Sequence, residues 1–156
     1  MRFLLPFVAC LGLSACLTGP DRCDQNPSDP ATEQFAPALG VDINSMNLTQ
    51  IGDYTKDLVV GTGATLSNPD SVTIHYSAYL KDGTLIDQFQ DTPFTIDLRF
   101  QSTIGLADGM LGMSVGGKRL IVVPSQYALG ACPNGPVPGN STLIYNVELL
   151  SIGSTP

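Results

Sequence analysis

The chain has 156 residues, 43% of them hydrophobic and 13% charged, with 14 acidic residues against seven basic ones and a net charge of −7. That balance repels phosphate backbones and anionic lipid surfaces, which excludes nucleic acid as a partner and a polybasic membrane contact. Size and composition suit one ordinary globular domain.

Arg2 precedes an apolar run, FLLPFVACLGL. The run is too short to span a bilayer and is broken by Pro6, so residues 1–15 read as a signal peptide rather than a transmembrane helix. It ends in Leu13-Ser14-Ala15-Cys16, which looks like a bacterial lipobox. In a lipobox the cut follows a small residue, and the new N-terminal cysteine is acylated. The alternative is an ordinary signal peptide with an incidental cysteine. Acyl chains on Cys16 would anchor the protein, each buried methylene contributing about 0.8 kcal/mol. Leu17 follows where an aspartate would resemble an inner-membrane retention signal, so the expected location is the bacterial envelope, at the outer membrane. Cleavage removes Arg2; the seven basic residues become six against 14 acidic, near −8 net.

Residues 16–45 are rich in Pro, Asp, Asn and Thr without a sustained apolar period, and read as a lipidated flexible tether. A folded domain is expected over 46–153. Cys10 leaves with the signal and Cys16 takes the lipid. Cys23 and Cys132 either pair, which an oxidising compartment permits, or remain two free thiols.

Within the domain, residues 56–60 form a short β-rich run closed by Gly61 and Gly63. From 71 to 80 the pattern alternates: Val72, Ile74, Tyr76, Ala78 and Leu80 share one face, with Thr73, His75, Ser77 and Tyr79 on the other. Asp82-Gly83 supplies a hairpin turn. Residues 84–89 return as the partner strand, and 93–98 make another. Leu106, Met110 and Met113 recur at helical spacing, and the helix is expected to stop at Gly116-Gly117. Residues 118–123 are a strand ended by Pro124, and 142–152 the last strand, with Leu143, Tyr145, Val147 and Leu149 on one face. One short helix with several antiparallel strands gives an α+β domain whose curved sheet wraps the helix.

Conventional catalytic machinery is missing from the pattern. His75, the one histidine, falls on a polar strand face and reads as a surface residue. No CxxC or His/Cys cluster points to a metal, and no cofactor motif is present. Gly116-Gly117-Lys118 lacks the earlier glycine of a phosphate loop. Asn47-Leu48-Thr49 and Asn140-Ser141-Thr142 are formal glycosylation sequons that a bacterial lipoprotein would not normally use.

Several segments, in order and nearly in spacing, resemble the FKBP-type peptidyl-prolyl cis-trans isomerases over most of residues 54–152. They are Val72-Thr-Ile-His-Tyr76, Asp82-Gly-Thr-Leu-Ile-Asp87, Pro93-Phe94, Gly109 to Lys118, and Ala128 to Leu143-Ile-Tyr-Asn-Val-Glu-Leu-Leu150. The resemblance implies a monomeric enzyme that rotates the bond before proline in polypeptide clients, without metal or cofactor. It implies that Tyr76, Asp87, Phe94 and Tyr145 form the catalytic pocket, Tyr145 where the family usually has Phe. Ile86, Thr103, Ile104, Leu106, Leu129 and Val137 are implied to bind substrate, with either Thr103 or Ile104 presenting a backbone N–H. From the residues alone, Tyr76, Phe94 and Tyr145 also suit plain core packing, and Asp87 an exposed edge.

This chain departs from the family at three pocket positions. Leu106 stands at the usual indole floor, Leu129 replaces a tyrosine whose hydroxyl donates to the substrate carbonyl, and Ile86 replaces an aromatic wall. The loop between Asp87 and Phe94 is short and offers no arginine to Asp87. A shallower, less aromatic pocket follows. The rival readings are a catalytically weak FKBP-fold chaperone or peptide-binding module, and a surface interaction protein with an acidic face.

Overall fold

The computed structural model describes Cys23 and residues 26–100 and 103–153. The expected signal peptide and the expected lipid site at Cys16 lie outside the described residues. Among the described residues six antiparallel strands form one sheet: β1 (Asn47–Leu48), β2 (Tyr54–Val59), β3 (Ser71–Leu80), β4 (Leu85–Asp97), β5 (Lys118–Val123) and β6 (Leu143–Ile152), in spatial order β1-β2-β5-β6-β3-β4. Among the described residues one α-helix, α1 (Ile104–Met110), packs against β5. This is the expected α+β architecture.

The alternation in β3 and β6 sorts their side chains as the sequence implies. Val72, Ile74 and Ala78 meet Leu143, Tyr145, Val147 and Leu149 in the main core, together with Leu106, Ala107 and Met110 of α1. The β3–β4 hairpin closes at Asp82-Gly83, where Gly83 takes φ +91° and Asp82 Oδ1 accepts from Thr84 N at 2.8 Å. Only glycine adopts that φ without strain.

The two strands expected at 84–89 and 93–98 are one strand, β4. The pairing jumps from Tyr76↔Phe89 to Ile74↔Phe94, so residues 90–93 bulge opposite the single position His75. Pro93 sits in that bulge, where its missing N–H costs no ladder bond. The helix also differs from expectation. It ends at Met110, not Gly116, because Gly112 turns the chain at φ +78° and its N–H donates to Leu66 O at 2.8 Å. Met113 is still buried in the core, but from a loop.

The expected tether is shorter than 16–45. Phe35, Ala36, Val41, Ile43 and Met46 pack with Leu39 over Leu120, Val122 and Ile144, on the outer face of the sheet. Ala36 N donates to Lys81 O at 2.8 Å, and Lys81 Nζ donates to Glu33 Oε1 at 2.8 Å. Ser28 and Ser125 exchange backbone-to-hydroxyl hydrogen bonds. Cys23 and Cys132 form a disulfide across a sequence separation of 109 residues. The folded unit therefore begins well before residue 46. The strand face read as polar is partly covered too: Tyr79 packs in this second core and Ser77 is fully buried.

Candidate active site

The β4 bulge does more than end the ladder. By offsetting the pairing it brings Phe89 and Phe94, five residues apart, to ring centroids 4.7 Å apart, with Tyr76 5.6 Å from Phe89 and 5.8 Å from Phe94. This three-ring stack stands beside a cavity of about 300 Å³. Tyr76, Asp87 and Phe94 line it from the hairpin, Thr103 from the position just before α1, Leu106 from α1, and Tyr145 from β6; Ile86 and Leu129 also line it. Eight of the ten residues expected in the pocket thus converge. Size and lining suit a prolyl ring and its neighbouring amide.

Two expected positions lie elsewhere. Ile104 is 61% exposed, and its side chain lines a separate apolar groove with Leu98 and Leu111. It is the first residue of α1, and the helical turn points it away from Thr103. Val137 is 3% exposed within the main core and does not line the cavity.

The polar groups are few and directed. The Tyr76 hydroxyl donates to Asp87 Oδ2 at 2.5 Å. Burial, then the hydrogen bond to Asp87, raise the Tyr76 pKa well above the usual phenol value, so the hydroxyl remains a neutral donor. Asp87 Oδ1 accepts from Gln88 N at 2.8 Å, and among the described residues no Lys or Arg forms an ion pair with it. Tyr145, 6% exposed, has its hydroxyl close to the Thr103 side chain; burial pushes that hydroxyl up to about 12. A tyrosine and a threonine hydroxyl therefore meet on the deep wall, where a phenylalanine would leave only apolar surface.

Sequence reasoning missed Phe89 as the ring that stacks on Tyr76 and Phe94 beside the cavity. The signal was present, since counting back from the Asp82-Gly83 turn through Ala78↔Asp87 pairs Phe89 with Tyr76. It also missed Arg119, which donates from Nη1 to Gly109 O (2.9 Å) and Leu111 O (2.8 Å), holding the C-terminal end of α1. A larger hollow of about 400 Å³ is lined by His75, Lys118, Asn146 and Glu148, and by Tyr76 as well. Its lining is mostly polar and charged and takes only Tyr76 from the stacked rings, so the smaller cavity better suits an apolar ring.

A family model described as FKBP-type peptidyl-prolyl cis-trans isomerase matches residues 63–150. An FK506-binding protein of Neisseria meningitidis serogroup B is 38% identical over 105 residues, covering 65% of this chain and 96% of that protein. FK506-binding protein 4 of Chaetomium thermophilum is 30% identical over 145 residues, covering 83% of this chain but only 29% of that much longer protein. A peptidyl-prolyl cis-trans isomerase structure from Pseudomonas syringae superposes with TM-score 0.63 at 26% identity, over 70% of this chain and 81% of that one. The sheet wrapped on a short helix, the aromatic hollow between them and these matches agree: this chain belongs to the FKBP-type peptidyl-prolyl cis-trans isomerase family.

Proposed function

We propose that this isomerase acts on proline-containing polypeptides in the bacterial cell envelope, as a monomer held to the outer membrane by lipid on Cys16. The carrying observation is an open hollow bordered by the Tyr76–Asp87 pair and floored by Leu106. Rotation about a prolyl bond is opposed by amide resonance, with a barrier of about 18–20 kcal/mol. The twisted amide is less dipolar than the planar one, so a dry apolar cradle favours it. Hydroxyls on the wall add stabilisation if they meet the carbonyl better when it is rotated. No nucleophile or proton transfer is needed, which suits a site without a triad. A disulfide between Cys23 and Cys132 supports an oxidising compartment.

A protease-free isomerisation assay on short prolyl peptides tests the reaction. Acceleration over buffer at micromolar protein is expected. None would favour the second reading, a chaperone or peptide-binding module, for which the leucines at 106 and 129 speak. Labelled-lipid incorporation tests the anchor: Cys16→Ser should abolish it, and unchanged membrane association would remove the lipid from the proposal.

A further inference from the structure

Beneath the floor of the pocket lies a carboxyl group that the reaction does not use. Asp53, just before β2, is 0% exposed, and neither Oδ1 nor Oδ2 has a hydrogen-bond partner. It is pressed against the first turn of α1: a Cβ added to Gly105 would stand 2.9 Å from Oδ1, 3.0 Å from Oδ2 and 2.2 Å from Val123 Cγ1. Only a glycine lets the helix and this acid approach so closely. The turn that rests on it carries Thr103 and Leu106, both in the cavity wall.

We propose that Asp53 is a positioning residue for the isomerase pocket: as a neutral acid it lets the first turn of α1 seat against the sheet, and on ionising it loosens that seat. The inference rests on the isomerase reading for its activity readout. The groups facing Asp53 are few. From α1 comes Asp108, whose Oδ2 is also buried without a partner. From β6 comes the Tyr145 hydroxyl, whose pKa the Asp53 charge helps to raise. From β5 comes the apolar Val123. The Thr49 hydroxyl is occupied with the Asp53 backbone, accepting from its N–H at 3.1 Å. Among the described residues no cation forms an ion pair with Asp53. An ionised carboxylate here lacks donors and repels Asp108, so relief requires helix and sheet to part.

Burial first, and the Asp108 charge second, push Asp53 from the ordinary 3.8 up to about 7. The folded state therefore binds the proton more tightly than the unfolded chain. Asp53's favourable protonated form is fully present below about pH 4, and stability declines as pH rises towards and through about 7. Because the turn seated against Asp53 at Gly105 also carries Thr103 and Leu106, and the Asp53 charge acts on Tyr145, turnover should follow the same titration. Prolyl rotation involves no proton transfer, so a pH dependence must come from the protein.

The test is kcat/KM on a prolyl peptide of fixed charge, by a protease-free assay from about pH 5 to about pH 8.5, for wild type, Asp53→Asn and the control His75→Gln. The neutral fraction of a group titrating near 7 falls about tenfold between about pH 6 and about pH 8, and wild-type kcat/KM should fall with it. Asp53→Asn should lose that inflection, and His75→Gln, altered on the opposite face of the sheet, should keep it. A flat wild-type profile, or the same inflection in Asp53→Asn, overturns the proposal. If Asp53→Asn does not fold, NMR on the wild-type chain decides: the Asp53 carboxyl, the Thr103 and Leu106 amides and the Tyr145 ring should titrate with one midpoint, and floor signals indifferent to it overturn the proposal. Absence of wild-type turnover at every pH would sink the isomerase reading alone, since the NMR titration reports Asp53 independently.

Discussion

Arg119→Met is the substitution expected to show most directly what holds the pocket floor. Arg119 is 9% exposed, and its guanidinium makes three hydrogen bonds: to Gly109 O at 2.9 Å, to Leu111 O at 2.8 Å and from Nε to Asp57 Oδ1 at 2.6 Å. The first two satisfy carbonyls at the C-terminal end of α1, which a seven-residue helix cannot satisfy from within. Hydrogen bonds to a charged group contribute about 1.5–3 kcal/mol each. The Asp57 side chain is 41% exposed, so solvent screening holds that pair to about 1 kcal/mol or less. Methionine keeps the aliphatic packing and removes all three contacts. The expected loss is about 3–5 kcal/mol, a large part of the ~5–15 kcal/mol that holds a domain together. With no tryptophan in the chain, urea unfolding is followed by circular dichroism or tyrosine emission. At an m-value of about 1–3 kcal/mol/M the midpoint should fall by roughly 2 M. Asp57→Ala should cost about 1 kcal/mol or less. A fall of less than about 0.5 M for Arg119→Met at unchanged m would mean that water serves those carbonyls equally well. Equal losses for both variants would assign the effect to the ion pair and refute the capping argument.

Three further outcomes follow from the site and its supports. Tyr76→Phe and Asp87→Leu each disrupt the 2.5 Å hydrogen bond at the rim and should lower kcat/KM by roughly tenfold, about 1.4 kcal/mol of transition-state stabilisation, with unchanged circular dichroism; full activity in both would reject the site assignment. Leu129→Tyr adds a hydroxyl at the cavity rim and should raise kcat/KM by several-fold if carbonyl donation limits turnover; a loss with intact folding would mean that the pocket shape depends on leucine. Cys132→Ser opens a loop of 109 residues and should lower stability by about 2–5 kcal/mol, matched by adding reductant to the wild type; coincident melting curves with and without reductant would contradict this.

Local pattern made the sheet legible wherever burial has a fixed period. β3 and β5 run over the expected residues because one alternates strictly and the other is an apolar run closed by Pro124. β4 read as two strands because Pro93 and its polar neighbours interrupt the pattern, although the chain stays extended through the bulge. Met113 misled the helix reading: it continues the i+3 spacing, but Gly112 has already turned the chain and tertiary packing alone buries it. The segment before residue 46 was the hardest to read. Phe35, Leu39, Val41 and Ile43 are spread around two short 3-10 turns, so they match neither period, and only the outer face of the sheet reveals their use. Eight of the ten residues implied by the family resemblance line one cavity, whereas Val137 lies in the core and the Ile104 side chain lines another groove.

The site's weak element is α1, and that shapes the physics of the pocket. Seven residues are too few for helix propensity to sustain alone, so packing must supply the stability. The helix is held at one end by Arg119 and lies at the other against Asp53, both outside the cavity lining. Gly105 and Gly109 admit it closely to the sheet, since added Cβ atoms would meet Val123 at 2.2 Å and Ile121 at 2.4 Å. Leu106 and Thr103 are consequently placed by contacts made behind the pocket. The aromatic stack, by contrast, belongs to the β3–β4 hairpin and is held by strand pairing. Changes at the rim should thus alter turnover with little effect on folding, whereas changes at 105, 109 or 119 should alter both together. That split separates a residue that meets the prolyl ring from one that holds the surface beneath it.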